Sequence, residues 1–242
     1  MRIDKFLSNQ GIGSRTEAKQ YIKKGLVTVN GEICKKPETQ INENTDKIIC
    51  NGKEVRYERF RYYMLNKPAG YVSATNDNLH STVIDLLKGS VNTAGLFPVG
   101  RLDIDTEGLL IITNDGKLSH ELLSPGKHVG KTYYAKINGY VTESNILDFK
   151  NGIDIGDDKP TLPAKLIIKD ADITAGTSEI FLTITEGRFH QVKRSFAALG
   201  MEVIYLKRIS MGALNLDESL PSGSFRELSP EEVMLLRGGA PV

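Results

Sequence analysis

The chain is short of the residues that hold metals and cross-links. Its 242 residues include only two cysteines, Cys34 and Cys50, so a disulfide framework is not indicated. His80, His120, His128 and His190 lie far apart and match no zinc-ligand spacing. No apolar run approaches the roughly 20 residues needed to span a bilayer. The N-terminal Met1-Arg2-Ile3-Asp4-Lys5-Phe6-Leu7 lacks the apolar core of a signal peptide. There is no phosphate-cradling glycine loop, dinucleotide fingerprint, internal repeat or low-complexity tract. These absences point to a soluble protein of a reducing compartment, the cytoplasm.

Charge is nearly balanced overall, with 31 Lys and Arg against 30 Asp and Glu, but it is unevenly placed. Residues 1–58 carry 11 basic and 8 acidic side chains, and residues 59–242 carry 20 and 22. The basic excess sits in a segment with its own local grammar. Ser14 followed by Glu17 is a capping-box signal for a helix start. Ala18, Tyr21 and Ile22 supply an apolar helical face, and Lys23-Lys24-Gly25 supplies a basic last turn and a terminating glycine. Asn30-Gly31 between Val27, Val29 and Ile33 predicts a tight hairpin. Arg15, Lys19 and Lys23 recur every four residues and form one stripe, which is either a solvated face or a site for RNA phosphates. The junction falls near Arg56-Tyr57-Glu58-Arg59-Phe60-Arg61, a short charged connection.

Beyond it, β-branched and aromatic content predicts strands at 62–65, 109–113, 132–137, 165–169, 180–185 and 203–206. Helices are predicted at 117–123, 143–149 and 190–199, and another starts at Ser229-Pro230. Strands in runs, without regular βαβ alternation, indicate an α+β domain with a mixed, largely antiparallel sheet.

The densest chemistry lies in Gly100-Arg101-Leu102-Asp103-Ile104-Asp105-Thr106-Glu107-Gly108. If the segment is extended, Asp103 and Asp105 share a face about 7 Å apart, a spacing that suits two acids. A turn at 104–108 would send Asp105 elsewhere. On residue chemistry alone, the favoured reading is structural: Asp103 paired with Arg101 on the surface and Asp105 capping the turn.

Other segments bear on that choice. The string from Arg2 to Leu7, through Gly13–Ala18, to Gly25–Gly31 closely resembles an S4 RNA-binding domain. Asn66-Lys67-Pro68-Ala69-Gly70, the Gly-Arg-Leu-Asp run, Lys131-Thr132-Tyr133 and Glu186-Gly187-Arg188-Phe189-His190-Gln191-Val192-Lys193-Arg194 follow in order. Together they resemble the pseudouridine synthases, most closely the RsuA branch, which joins an S4 domain to a catalytic domain. The resemblance covers essentially the whole chain.

It implies an S4 domain over 1–58 and a catalytic domain over 59–242. It implies an enzyme that turns one uridine of ribosomal RNA into pseudouridine, with rRNA in a ribosomal subunit or assembly intermediate as partner, acting as a monomer. The reaction detaches uracil from C1′ and rejoins it through C5, so neither cofactor nor metal is required. Asp103 aligns with the family's nucleophile, Lys193 with the basic residue beside it, and Tyr133 with the aromatic that stacks on the base. A uridine in structured RNA must be flipped out to be reached. Arg101 is expected to fill the vacated space or hold a flanking phosphate, and Lys67, Arg188, His190, Gln191 and Arg194 to contact RNA. Arg15, Lys19 and Lys23 are expected to do so in the S4 part. The Phe189–Arg194 run looks like the small-subunit type; large-subunit relatives tend to carry an Asn-Arg run there. The competing readings are a large-subunit enzyme and an inactive RNA-binding assembly protein.

Overall fold

The structure, a computed structural model, describes residues 1–55 and 57–238. Arg56, in the predicted junction, lies outside the described residues. The chain divides into two compact units. One comprises Met1–Arg61 with Leu87–Leu96; the other comprises Tyr62–Leu86 with the chain from Phe97 onward.

In the first unit, α1 (Ile3–Asn9) and α2 (Arg15–Lys23) pack beside a four-stranded sheet. Its strands are β1 (Val27–Val29), β2 (Glu32–Ile33), β3 (Ile48–Cys50) and β4 (Lys53–Val55), in the order β2-β1-β3-β4. The expected capping box forms: Glu17 N donates to Ser14 Oγ at 3.3 Å, and Ser14 N donates to the Glu17 carboxylate at 2.7 Å. Asn30 and Gly31 both take positive φ, 53° and 91°, as a hairpin turn matched to strand twist requires. A second Asn-Gly pair, at 51–52, turns β3 into β4 in the same way (φ 50° and 77°). Phe6, Leu7, Ala18, Ile22, Val27 and Ile48 are buried in one core. The cysteines are buried and unpaired within it.

This unit extends beyond residue 58 and takes in a piece of chain that sequence reading put with the second part. The Arg61 guanidinium donates to Asn92 O and, at 2.6 Å, to Ala94 O, while the Asn92 amide donates to Asn9 O at 3.1 Å. Backbone acceptors in the 87–96 loop thus bind it to the N-terminal unit, a pairing that no local pattern announces.

The second unit is built on a nine-stranded sheet. Its strands are β5 (Tyr62–Lys67), β6 (Phe97–Pro98), β7 (Glu107–Thr113), β8 (Lys131–Asn138), β9 (Lys165–Asp172), β10 (Thr177–Ile184), β11 (Glu202–Met211), β12 (Leu214–Asn215) and β13 (Phe225–Glu227). The order along the main path is β13-β5-β7-β11-β8-β10-β9, with β6 paired to β7 and β12 to β11. Among these described strands, only β7 and β11 run parallel. Helices α3 (Gly116–Leu123), α4 (Glu143–Asn151), α5 (Gln191–Ala198) and α6 (Pro230–Leu236) complete it. The architecture is α+β with a largely antiparallel sheet. Among the described residues, no helix is long and apolar enough to cross a membrane.

Several elements start where side-chain chemistry dictates. Asp115 caps α3, accepting from Lys117 N and Leu118 N, each at 3.1 Å. Ser229 caps α6 in a capping box with Glu232, with Pro230 in the first turn. The short β6, β12 and β13 carry two or three residues each, too few for an alternating pattern to register. Gly108 is required where β7 meets β11. Its φ is +98°, and a Cβ there would run into the backbone carbonyl of Arg208.

Candidate active site

A cavity of about 750 Å³ opens on the second unit. Its floor is a patch of sheet. Lys131 and Tyr133 on β8, Ile184 on β10, and Leu206 and Arg208 on β11 line it. Strand alternation explains the selection, since residues two apart share a face and Tyr133 is paired directly with Leu182 and Arg208. Tyr134 points the other way, its ring 5.8 Å from Phe181 and 6.0 Å from Tyr205. The walls are the 100–106 segment before β7 and the 187–193 segment that opens α5.

The first wall carries Asp103. Thr106 N donates to Asp103 O at 3.1 Å, closing the expected turn. The turn is pinned from below by the Asn66–Gly70 segment. Lys67 Nζ donates to the carbonyls of Pro68 (3.1 Å), Asp103 (3.0 Å), Ile104 (3.2 Å) and Thr106 (2.8 Å). Gly70 N donates to Ile104 O at 2.7 Å. Ser73 Oγ both donates to Leu102 O and accepts from Leu102 N, at 2.9 and 3.0 Å. The expectation that Lys67 contacts RNA is therefore corrected. It is fully buried, and burial pushes its ammonium down to about 8, while the carboxylates of Asp105, Asp103 and Glu107 pull the other way. Its work is to hold the Asp103 turn.

The second wall brings Lys193 and His190 to Asp103. Lys193 Nζ lies 3.6 Å from Asp103 Oδ2, and His190 Nε2 lies 3.6 Å from Asp103 Oδ1. Lys193 has a nearer partner in Asp105, with Nζ 2.5 Å from Oδ1. The turn thus keeps Asp105 beside Asp103 instead of sending it away, and one ammonium serves two carboxylates. Burial works to raise the Asp105 carboxyl, but the hydrogen bond and charge of Lys193 outweigh it and hold it below its usual range.

His190 reaches Asp103 because it caps α5 in the left-handed conformation, φ 47°. Phe189 stacks on its imidazole at 3.8 Å and stays largely exposed at the rim, as does Arg101. The segment is braced internally. Glu186 accepts from Arg188 Nε and Gln191 Nε2, each at 3.0 Å, and Arg188 N donates to Gln191 Oε1 at 3.0 Å. Gln191 is buried on the cavity wall, and its amide is engaged within the segment by Glu186 and Arg188 N. Arg188 donates to Lys159 O (2.6 Å) and Pro160 O (2.7 Å), and Arg194 to Ile155 O (2.6 Å). Both arginines also pair with Asp157. These bonds direct the two guanidiniums at the 155–160 loop rather than outward.

Of the residues singled out from sequence, Arg101, Asp103, Tyr133, Arg188, His190, Gln191 and Lys193 line the same cavity. Arg15, Lys19 and Lys23 lie exposed on α2 of the first unit, Arg15 within 4.0 Å of Asp4. Sequence reading missed the sharing of Lys193 by Asp105, the exposed Phe189 and the buried Arg208. The last carried a faint signal: a cation two residues past an apolar Leu206 falls on the same face of an extended strand. Among the described residues no cluster of acids, histidines or cysteines could hold a metal ion.

Comparison with known proteins agrees with this geometry. The family profile of the RNA pseudouridylate synthases matches residues 61–198, and that of the S4 domain matches residues 1–46. The chain is 46% identical to the Uncharacterized RNA pseudouridine synthase YtzG of Bacillus subtilis, covering 98% of both. It is 40% identical to Ribosomal large subunit pseudouridine synthase B of the same organism (98% of this chain, 95% of the other). It is equally 40% identical to Ribosomal small subunit pseudouridine synthase A of Vibrio vulnificus (96% and 98%). A crystal structure of a pseudouridylate synthase superposes with a TM-score of 0.68 at 38% identity, covering 98% of this chain and 99% of that one. Full-length likeness of this kind, on a fold whose sheet-floored cavity gathers the acidic, basic and aromatic motifs, means that the chain belongs to the RNA pseudouridylate synthase family as an S4-domain member, and is an RNA pseudouridine synthase.

Proposed function

We propose that the enzyme isomerises one uridine of small-subunit ribosomal RNA, with Asp103 as its covalent nucleophile. The observation that carries the assignment of Asp103 is its position: a partly exposed carboxylate on the cavity wall, with the Lys193 ammonium 3.6 Å away. Tyr133 provides the ring on which the flipped base stacks, a contact worth about 1–3 kcal/mol. Arg101 at the rim meets the neighbouring RNA. Asp103 adds to C1′ of the sugar or to C6 of the base. In either route the C1′–N1 bond breaks, uracil turns, and C5 bonds to C1′, C5 giving up a proton and N1 gaining one. The protein acts as a monomer in the cytoplasm, on rRNA in a subunit or assembly particle.

The choice of subunit rests on the Phe189–Arg194 run; the relatives include both kinds at equal identity. Small-subunit synthases A from Vibrio, Salmonella and Escherichia coli stand at 39–40% identity, beside a large-subunit relative at 40%. Pseudouridine mapping after incubation with each rRNA, naked and in subunits, tests it. New pseudouridine is expected in small-subunit rRNA alone. Its appearance only in large-subunit rRNA transfers the assignment, and none in any substrate removes it.

The S4 unit supplies the second grip. Lys19 and Lys23 are exposed on one face of α2 with Arg15. Reversing all three to Glu is expected to weaken rRNA binding and to lower the slope of log Kd against log salt by about 0.7–0.9 for each phosphate no longer neutralised. Titrations at several salt concentrations check this; an unchanged slope returns the stripe to plain solvated surface.

A further inference from the structure

The cavity floor holds two cations that no acid among the described residues balances. Arg208 is 2% exposed and Lys131 is 7% exposed. Arg208 Nε donates to Leu109 O at 2.8 Å, whereas its Nη2 is buried with no hydrogen-bond partner among the described residues. Lys131 Nζ donates to Val129 O at 3.0 Å. Burial, and then the charge of Arg208, push the Lys131 ammonium below its usual range. A buried cation without a counter-charge is costly, and a donor left without an acceptor beside a cavity is available to water or to a ligand that enters it.

Position says what that ligand is. Arg208 is the cross-strand partner of Tyr133, and Lys131 precedes Tyr133 by two residues on β8. All three side chains therefore rise from one face of the sheet into one cavity. A ring stacked on Tyr133 would therefore share the cavity floor with Arg208 and Lys131. Phosphates of the same strand stay toward the exposed rim, where Arg101 stands.

The chemistry calls for a donor there. If Asp103 attacks C1′, the C1′–N1 bond breaks and its electron pair passes to N1, delocalised onto O2 and O4. If Asp103 adds to C6, the C5–C6 π pair moves toward C5 and O4. Either way the pyrimidine becomes an anion with charge on a carbonyl oxygen. We infer that Arg208, with Lys131 behind it, donates to a carbonyl oxygen of the flipped pyrimidine and stabilises this anionic ring, making it a further catalytic residue. The inference rests on the reading that this cavity receives the target uridine. When C5 rejoins C1′, the pair returns to the Asp103 carboxylate, the C5 proton leaves, N1 is protonated, and the balance closes without a redox partner.

The test compares Arg208→Met and Arg208→Lys with wild type under single turnover, on target rRNA carrying uridine or 5-fluorouridine at the modified position. Fluorine withdraws charge and eases formation of the anion, and loss of the starting nucleotide reports the step on both substrates. Arg208→Met is expected to slow uridine about 10²–10³-fold, the usual scale for removal of one electrostatic donor. Its RNA Kd should stay within about twofold. On 5-fluorouridine the defect is expected to shrink at least tenfold, and Arg208→Lys to fall between. Equal defects on the two substrates, abolished RNA binding, or wild-type rates overturn the inference. If Arg208→Met does not fold, Arg208→Lys carries the same comparison. Asp103→Asn and Asp105→Asn run alongside separate the two ideas: activity retained in both removes the reading of the cavity, whatever Arg208 does.

Discussion

Asp103→Asn is expected to abolish pseudouridine formation, lowering the single-turnover rate by about 10⁴-fold or more, the scale on which loss of a covalent nucleophile registers. The substitution keeps the shape and removes the charge, and a neutral amide oxygen does not form the covalent bond that divides the reaction into two easier steps. Stability and RNA affinity should stay near wild type. The reason is the second carboxylate: Lys193 keeps its closer partner, Asp105, so no cation is left stranded when Asp103 is neutralised. Single-turnover assays with thermal melts and RNA titrations check all three. Asp105→Asn is the control. It should leave Lys193 paired to Asp103 and cost far less, about tenfold, through a less defined ammonium position. Turnover retained in Asp103→Asn and abolished in Asp105→Asn would move the nucleophile two residues along.

Lys67→Met is expected to be the most destabilising substitution near the site, by about 3 kcal/mol or more. Methionine fits the volume but donates nothing, and the carbonyls of Asp103, Ile104 and Thr106 lose a donor in a place that water does not reach. Because these carbonyls belong to the turn that aims Asp103, kcat should fall along with Tm, which urea melts and single-turnover rates can separate. A pH signature goes with it. The Lys67 ammonium titrates near 8 in the folded protein against 10.5 for the free side chain. Between those values the unfolded chain binds the extra proton, so the Lys67 contribution to stability rises with pH across the window. The stability gap between wild type and Lys67→Met should therefore widen from pH 8 to 10.5. Activity should move oppositely, declining above about pH 8 as the turn loses a charged donor. A gap that is flat in pH would mean that Lys67 keeps its ordinary affinity for protons.

Much of this molecule is written locally. Ser14 with Glu17, Asn30-Gly31 and Ser229-Pro230 each satisfy backbone groups within a few residues, so the helix starts and the hairpin they announce appear where expected. The longer strands of the second unit were legible because β-branched and aromatic residues crowd them. Gly100–Gly108, Lys131–Tyr133 and Glu186–Arg194 were legible as motifs, and the residues of the expected catalytic set do meet in one cavity.

What each motif residue does was another matter, because a side chain's role depends on the acceptors that long-range folding puts within reach. Lys67 reads as an exposed basic residue before a proline; the antiparallel pairing of β5 with β7 buries it under a turn 36 residues away. Gln191 and Arg188 line the cavity, but only the fold shows that the 186–191 segment also closes on Glu186 through them. The Leu87–Leu96 loop joined the first unit through backbone carbonyls, which carry no sequence signature. By itself, then, the sequence determined most element types and a two-part organisation, through propensity and capping, whereas the acid, base and aromatic motifs were identified by their resemblance to the family. Only the tertiary structure decided that one lysine serves both Asp103 and Asp105, and that Arg208 lies opposite Tyr133 with an unsatisfied donor. Both follow from strand register and turn geometry, which depend on pairing between segments far apart in the chain.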